Sequence, residues 1–191
     1  MTRLDAAGER HGSSKLRRAG RLVLPGSASP AETLYAILAH LPRLLGGEGL
    51  PKPLLNRRVA LNDAGARALG HKTCVGDATW LAARKGARAV CVEIEGAAFH
   101  GAGDGLGSIA WGRMAQRDDH ARANALRASG FDVIPVTWKQ MASLDAWEVL
   151  MDVIAGSLRV HRRVQTEAFK AQRARLRDEL LGKPSLRRVG G

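Results

Sequence analysis

At 191 residues and 45% hydrophobic, the chain has room for one domain with an ordinary core and not for two large ones. A formal net charge of +12 and a pI of about 10.9 point to a polyanionic partner, either nucleic acid or an acidic membrane surface. The absence of any apolar run of about 18 residues, or of an apolar leader, argues against a membrane span or secretory signal and for a cytoplasmic setting.

The excess charge is concentrated at the two ends. Residues 1–28 carry six Lys/Arg against two acids and residues 159–191 carry ten against three, while residues 29–158 are almost balanced. That division predicts a basic flexible arm over 1–28, a folded domain over 29–158, and a basic helix or tail over 159–191. Basic ends flanking a neutral body suit phosphate contacts, although they would also serve solubility alone. The two cysteines, Cys74 and Cys91, form no CxxC pair, and no HxxxH accompanies them. They read as small core residues of a reducing compartment rather than as zinc ligands.

In the arm, Arg21–Leu24 offers a short strand. Ser29-Pro30-Ala31-Glu32 then has the form of a capping box with proline at the first helical position. Leu34, Ile37, Leu38, Leu41 and Leu45 continue it at helical spacing, with a kink expected at Pro42 and an end at Gly46-Gly47. Arg57–Leu61 reads as a strand and Asn62-Asp63 as a turn. Thr73–Leu81 and Arg88–Glu95 form a strand pair around Arg84-Lys85-Gly86.

Gly101, Gly103, Gly105 and Gly107 punctuate a loop that fails the dinucleotide-binding spacing because Leu106 stands at the third glycine position; a lid is the better reading. Ser108 can cap a helix running to Ser129 and closed by Gly130. Phe131–Trp138 is a strand carrying Pro135, whose missing N–H must face away from a ladder partner. From Leu144, the residues Trp147, Leu150, Val153, Ile154 and Leu158 mark one stripe of a last long helix. Trp80, Trp138 and Trp147 fall on apolar faces, which leaves Trp111 as the candidate base-stacking residue. Helix, three strands, helix, strand, helix is an α/β order around a small central mixed sheet flanked by helices.

Glu93 and Glu95 share one face of their strand, and Asp77 on the preceding strand is expected opposite Ile94, between them. Crowding three carboxylates is unfavourable unless a cation offsets the repulsion. An all-oxygen set favours Mg²⁺ or Mn²⁺, which can activate water for attack on phosphorus. Glu95 reads equally well as a ligand, an outer group or an exposed side chain. For Glu32 the capping role is preferred to an approach to the metal. Asp119 and Arg122, three apart on a helix, read either as a local ion pair or as a source of a phosphate contact.

Gly76-Asp77-Ala78-Thr79-Trp80, Val92-Glu93-Ile94-Glu95-Gly96 and Phe99-His100 resemble the PD-(D/E)xK nuclease superfamily, in the branch similar to very short patch repair endonucleases. Asp119, Arg122, Leu126 and Gly130 fall at that branch's spacing before the strand matching Val133–Thr137. Upstream, Ser29-Pro30-x-Glu32 and Gly49-Leu50-Pro51-x-Pro53-x-x-Asn56 are similar to its opening helix and loop. The resemblance spans about residues 29–141.

It implies a restriction-endonuclease-like core and a Mg²⁺- or Mn²⁺-dependent DNA endonuclease of repair or defence type. Asp77 and Glu93 are then metal ligands, with the Ile94 carbonyl a third. Glu95 stands at the place of the superfamily's lysine, so the site set becomes Asp77, Glu93 and Glu95 for the metal, with His100 as proton carrier. Arg117 and Arg122 are placed to meet phosphate, joined on the basic C-terminal segment by Arg159, Arg162 and Arg163. Pro135 replaces a residue that is often basic in this branch. The alternative is a nucleic-acid-binding module on the same fold without turnover. DNA is the expected partner, no membrane is, and a homodimer is left open.

Overall fold

A computed structural model of the chain describes residues 22, 24–95 and 119–182. Helix α1, Pro30–His40, begins where the capping residues place it, with Ser29 Oγ accepting the Glu32 N–H at 3.2 Å. It stops earlier than its apolar periodicity suggested. Leu41, just before Pro42, is driven to an extended ψ of 144°, and the apolar spacing continues only in a single 3₁₀ turn, Arg43–Leu45. Upstream, Leu22 is helical and Leu24 packs irregularly on the core, so the strand expected over Arg21–Leu24 does not form at those residues.

Strand β1, Leu54–Ala60, is followed by a short helix α2, Asp63–Leu69, where a simple turn was expected. The Asn62 side chain caps it, accepting the Gly65 N–H at 2.8 Å. Strands β2, Thr73–Trp80, and β3, Ala89–Ile94, follow. Residues 119–128 form helix α3, leading into β4, Phe131–Val136. Thr137 and Gln140 cap the short α4, Trp138–Ala142, reciprocally, and Ser143 caps α5, Leu144–Ser157. The basic C-terminal segment forms α6, Glu167–Leu181.

The four strands make one mixed sheet in the order β1-β2-β3-β4, antiparallel except for the parallel β3–β4 pair. Pro135 is tolerated because β4 is an edge strand. On one side of the sheet Ala78, Trp80, Val90 and Val92 pack with Tyr35 and Leu38 of α1 and with Trp147, Leu150 and Ile154 of α5. Val153, expected on the buried stripe, is instead 51% exposed. On the other side Val59, Cys74, Cys91 and Phe131 pack against Leu126 of α3. Both cysteines are free and buried. Among the described residues no helix is long and apolar enough to cross a membrane.

The basic C-terminal segment does not hang free. Glu48, in the loop after the 3₁₀ turn, is 1% exposed at its side chain and collects Arg162 at 2.9 Å, Arg173 at 3.5 Å and the Trp147 indole N–H at 3.0 Å. Arg173 also donates to Glu148 at 2.6 Å, and Arg177 donates to the carbonyls of Met141 and Ala142 at the end of α4. Phe169 is buried, with the Arg43 guanidinium 3.6 Å from its ring centroid. Removing one member of such a cluster leaves desolvated charge behind. Glu48→Ala is therefore expected to lower unfolding stability by about 3–5 kcal/mol in urea titrations. A loss below about 1 kcal/mol would place the cluster with ordinary exposed ion pairs.

Candidate functional site

Regular alternation would put Leu55 and Val59, four apart on β1, on one face of the sheet, yet they lie in opposite cores. Cys74 and Ala78 on β2 divide in the same way. Both breaks bracket one rung. Register pairs run Leu55↔Ala78 and Arg57↔Gly76, skipping Asn56 and Asp77, and Asn56 has a φ of +46°. Such a local break re-aims side chains at a chosen point of a strand, and the residue re-aimed here is Asp77.

Next to it, Gly76 allows a close approach that no other residue could. A Cβ there would lie 2.2 Å from Cys91 Sγ and 3.5 Å from Glu93 Oε1. The β2–β3 ladder aligns Ala78 with Val92 and Thr79 with Cys91, so Asp77 comes level with Glu93, one residue short of the expected position opposite Ile94. Pairing ends there, and the Ile94 N–H donates instead to Asp77 Oδ2 at 2.7 Å.

Glu93 points to the α3 side with Cys91, whose thiol donates to Glu93 Oε1 at 3.4 Å. Its other oxygen accepts from Arg122 Nη2 at 2.8 Å, and the same nitrogen lies 3.1 Å from Asp119 Oδ1. Asp119 and Arg122 thus do form the local ion pair, and the pair reaches Glu93. Glu32, on α1, accepts from the Ala28 N–H at 2.7 Å and from the Asn56 side-chain amide. Its carboxylate therefore caps from one residue outside the usual box, and it also acts electrostatically on Asp77. Glu95 lies exposed just beyond β3, bound to the sheet through its N–H to the Val136 carbonyl at 2.9 Å.

Burial pushes the Asp77 carboxyl above the usual aspartate range; Glu32 and Asp119 add to this, and the Ile94 N–H and Arg122 oppose it. Burial likewise raises Glu93, with Asp77 adding to the effect against Arg122 and the Cys91 hydrogen bond. Burial works against the Arg122 charge too, but Glu93, Asp119 and Asp77 hold its pKa above the ordinary arginine value. Burial and then Glu93 push the Cys91 thiol far up, leaving it un-ionised. Burial thus outweighs Arg122 at both acids, a perturbation found at functional sites and in structural ion-pair networks alike.

The structure brings together Asp77, Glu93 and Arg122 and sets Glu95 at their margin. His100, Arg117, Trp111, the glycine-rich loop and the Ser108 cap lie outside the described residues. Among the described residues no group of three or more His, Cys, Asp or Glu side chains is placed to hold a metal. Arg159 and Arg163 are exposed, the former donating to the Gly86 carbonyl at 3.3 Å, whereas Arg162 is engaged with Glu48 and Asp152. Sequence reasoning missed Glu48, Arg173 and Arg177. Phe169, Arg173, Leu176 and Leu180, at helical spacing, were the available signal of an inward face. No family model matches the chain, and no curated protein or solved structure matches it either.

Because both carboxyl groups bind protons more tightly in the folded chain than in the unfolded one, they favour folding at low pH. Their contribution is lost as pH rises from the ordinary carboxylate range, about 4, through their raised values. Asp77→Asn keeps an acceptor for the Ile94 N–H but never ionises. It is expected to melt a few degrees above wild type near neutral pH, by calorimetry or circular dichroism, with the gain shrinking as the pH is lowered to about 4. A lower Tm at neutral pH, or a gain independent of pH, would contradict the electrostatic account.

Proposed function

We propose that the chain is a metal-dependent DNA endonuclease with a restriction-endonuclease-like core, akin to the very short patch repair branch, working on DNA in the cytoplasm. The observation that carries this reading is the pair Asp77 and Glu93. They come from adjacent antiparallel strands, meet where side-chain alternation breaks, and are both pushed toward protonation by burial.

The donors fit Mg²⁺ or Mn²⁺. These ions need only one or two carboxylates beside substrate phosphate and water, and the oxygens of Asp77 and Glu93, with the Ile94 carbonyl as a third, are hard donors. Bound there, such a cation would lower the pKa of an attacking water and neutralise phosphate charge.

The protein's own groups supply the rest. Asp77, fixed by the Ile94 N–H, and Glu93, fixed by Cys91 and Arg122, give an oriented acid pair. Glu95, exposed at the strand end, orients water at the margin, and His100 carries a proton to or from the reacting oxygens. Arg117 and Arg122 meet the phosphate, while Arg159 and Arg163 contact the flanking backbone. Arg162 serves the Glu48 cluster instead.

The reading without turnover, a nucleic-acid-binding module, draws support from the ion pair that already occupies Glu93. Plasmid nicking separates the two. Wild type with Mg²⁺ is expected to relax supercoiled DNA, and Asp77→Asn and Glu93→Gln to be slower by at least about 100-fold. If wild type binds DNA but leaves it supercoiled with Mg²⁺ and Mn²⁺ across pH, the enzyme reading fails. Because residues 162–177 are built into the fold, substitution tests the DNA contact better than truncation does. Replacing Arg159 and Arg163 together by Gln is expected to reduce the slope of log affinity against log salt by about 2, roughly one per lost phosphate contact. An unchanged slope would remove both residues from the interface.

A further inference from the structure

Arg122 occupies the place of a cation. It extends from α3 so that Nη2 lies 2.8 Å from Glu93 Oε2, and Asp119, three residues earlier on the same helix, holds that nitrogen at 3.1 Å. Its Nε is buried without a hydrogen-bond partner among the described residues, while the side chain as a whole remains 37% exposed. A guanidinium that leaves one donor unused beside the acids, yet has an open route to solvent, is not in a terminal arrangement.

We infer that Arg122 is a displaceable counter-ion: it neutralises Glu93 while no divalent cation is bound, and passes to a substrate phosphate when one arrives. The inference rests on the metal-dependent reading above. A guanidinium and a divalent cation repel each other strongly when both face the same carboxylate, so the arrival of one favours departure of the other. Asp119, exposed at the start of the described part of α3, stays within reach of the side chain as a second, solvent-facing partner. The freed planar fork of donors matches two phosphate oxygens.

The coupling has a definite sign. Arg122 opposes metal binding when DNA is absent, and its removal to phosphate relieves that opposition when DNA is present. Metal and DNA therefore help one another through this one side chain, and by linkage the help is mutual.

Titration of the full chain with Mn²⁺ alone, followed by calorimetry at a pH where both acids are ionised, tests this without turnover. Arg122→Gln is expected to bind Mn²⁺ about tenfold tighter than wild type, toward the low end of ordinary coupling. A non-hydrolysable phosphorothioate duplex is then expected to tighten Mn²⁺ binding to wild type more than to Arg122→Gln, in which only the phosphate's direct contact with the cation couples the two. Arg122→Met, close in length and apolar, gives the same comparison should the Gln variant fail to fold.

Equal or weaker Mn²⁺ binding by a folded Arg122 variant, or equal tightening of both proteins by DNA, overturns the inference. If wild type nevertheless binds Mn²⁺ and Asp77→Asn does not, the metal-dependent reading survives that result. If neither wild type nor the Arg122 variants bind Mn²⁺, both readings fall together.

Discussion

Two partly buried carboxylates meeting on neighbouring strands are expensive to keep ionised, and much of the architecture around β2 and β3 can be traced to that pair. The rung at Asn56 and Asp77 abandons regular pairing, the Ile94 N–H leaves the ladder to bind a side chain, and Gly76 gives up its Cβ to make room. Arg122 is drawn from α3 to cover Glu93. Three departures from ideal sheet geometry and one ion pair thus concentrate around the same two acids.

The two faces of the sheet have different tasks. Under α1 and α5 the core is broad and apolar, with Tyr35 and Trp147 in an edge-to-face contact at 5.8 Å between centroids. Under α3 it is small, and its polar margin holds Thr79, Cys91, Glu93 and Arg122. The larger core supplies most of the hydrophobic stabilisation, which lets the smaller face carry charges that oppose folding. The separation follows from strand alternation: Val90 and Val92 face one way and Cys91 and Glu93 the other.

How much of this could be read from the residues depended on the range of the forces involved. Local signals were reliable where they were strong: the Ser29 cap, the β-rich runs that became β2 and β3, and the Trp147, Leu150, Ile154 and Leu158 stripe, though not Val153, lie where the sequence placed them. The approach of Asp77 to Glu93 was legible because a short connection around Arg84-Lys85-Gly86 makes their two strands antiparallel neighbours. Its register was not, since a one-residue difference in how the connection between Trp80 and Ala89 turns moves the partner of Asp77 between Glu93 and Ile94. Helix α2 escaped notice because Asn62-Asp63 followed within two residues by Gly65 reads as a turn, and the helix has only seven residues in which to show a period. The inward turn of Arg162, Arg173 and Arg177 escaped because arginine is ordinarily a surface residue, and because Glu48 lies in a segment with no repeating pattern.

The Glu48 cluster also bears on the order in which the chain can mature. Its counter-ions lie 114 and 125 residues further along. On an emerging polypeptide, synthesised at about 5–20 residues per second, that carboxylate waits several seconds for both partners, which emerge only after β1 to β4 and α5. Closure of so long a span is among the entropically demanding steps of folding and is rewarded only at its end. The larger core is thus sealed late, by a charged clasp, and during that interval the Trp147 indole N–H and the face that receives Phe169 remain open to solvent and to chaperones.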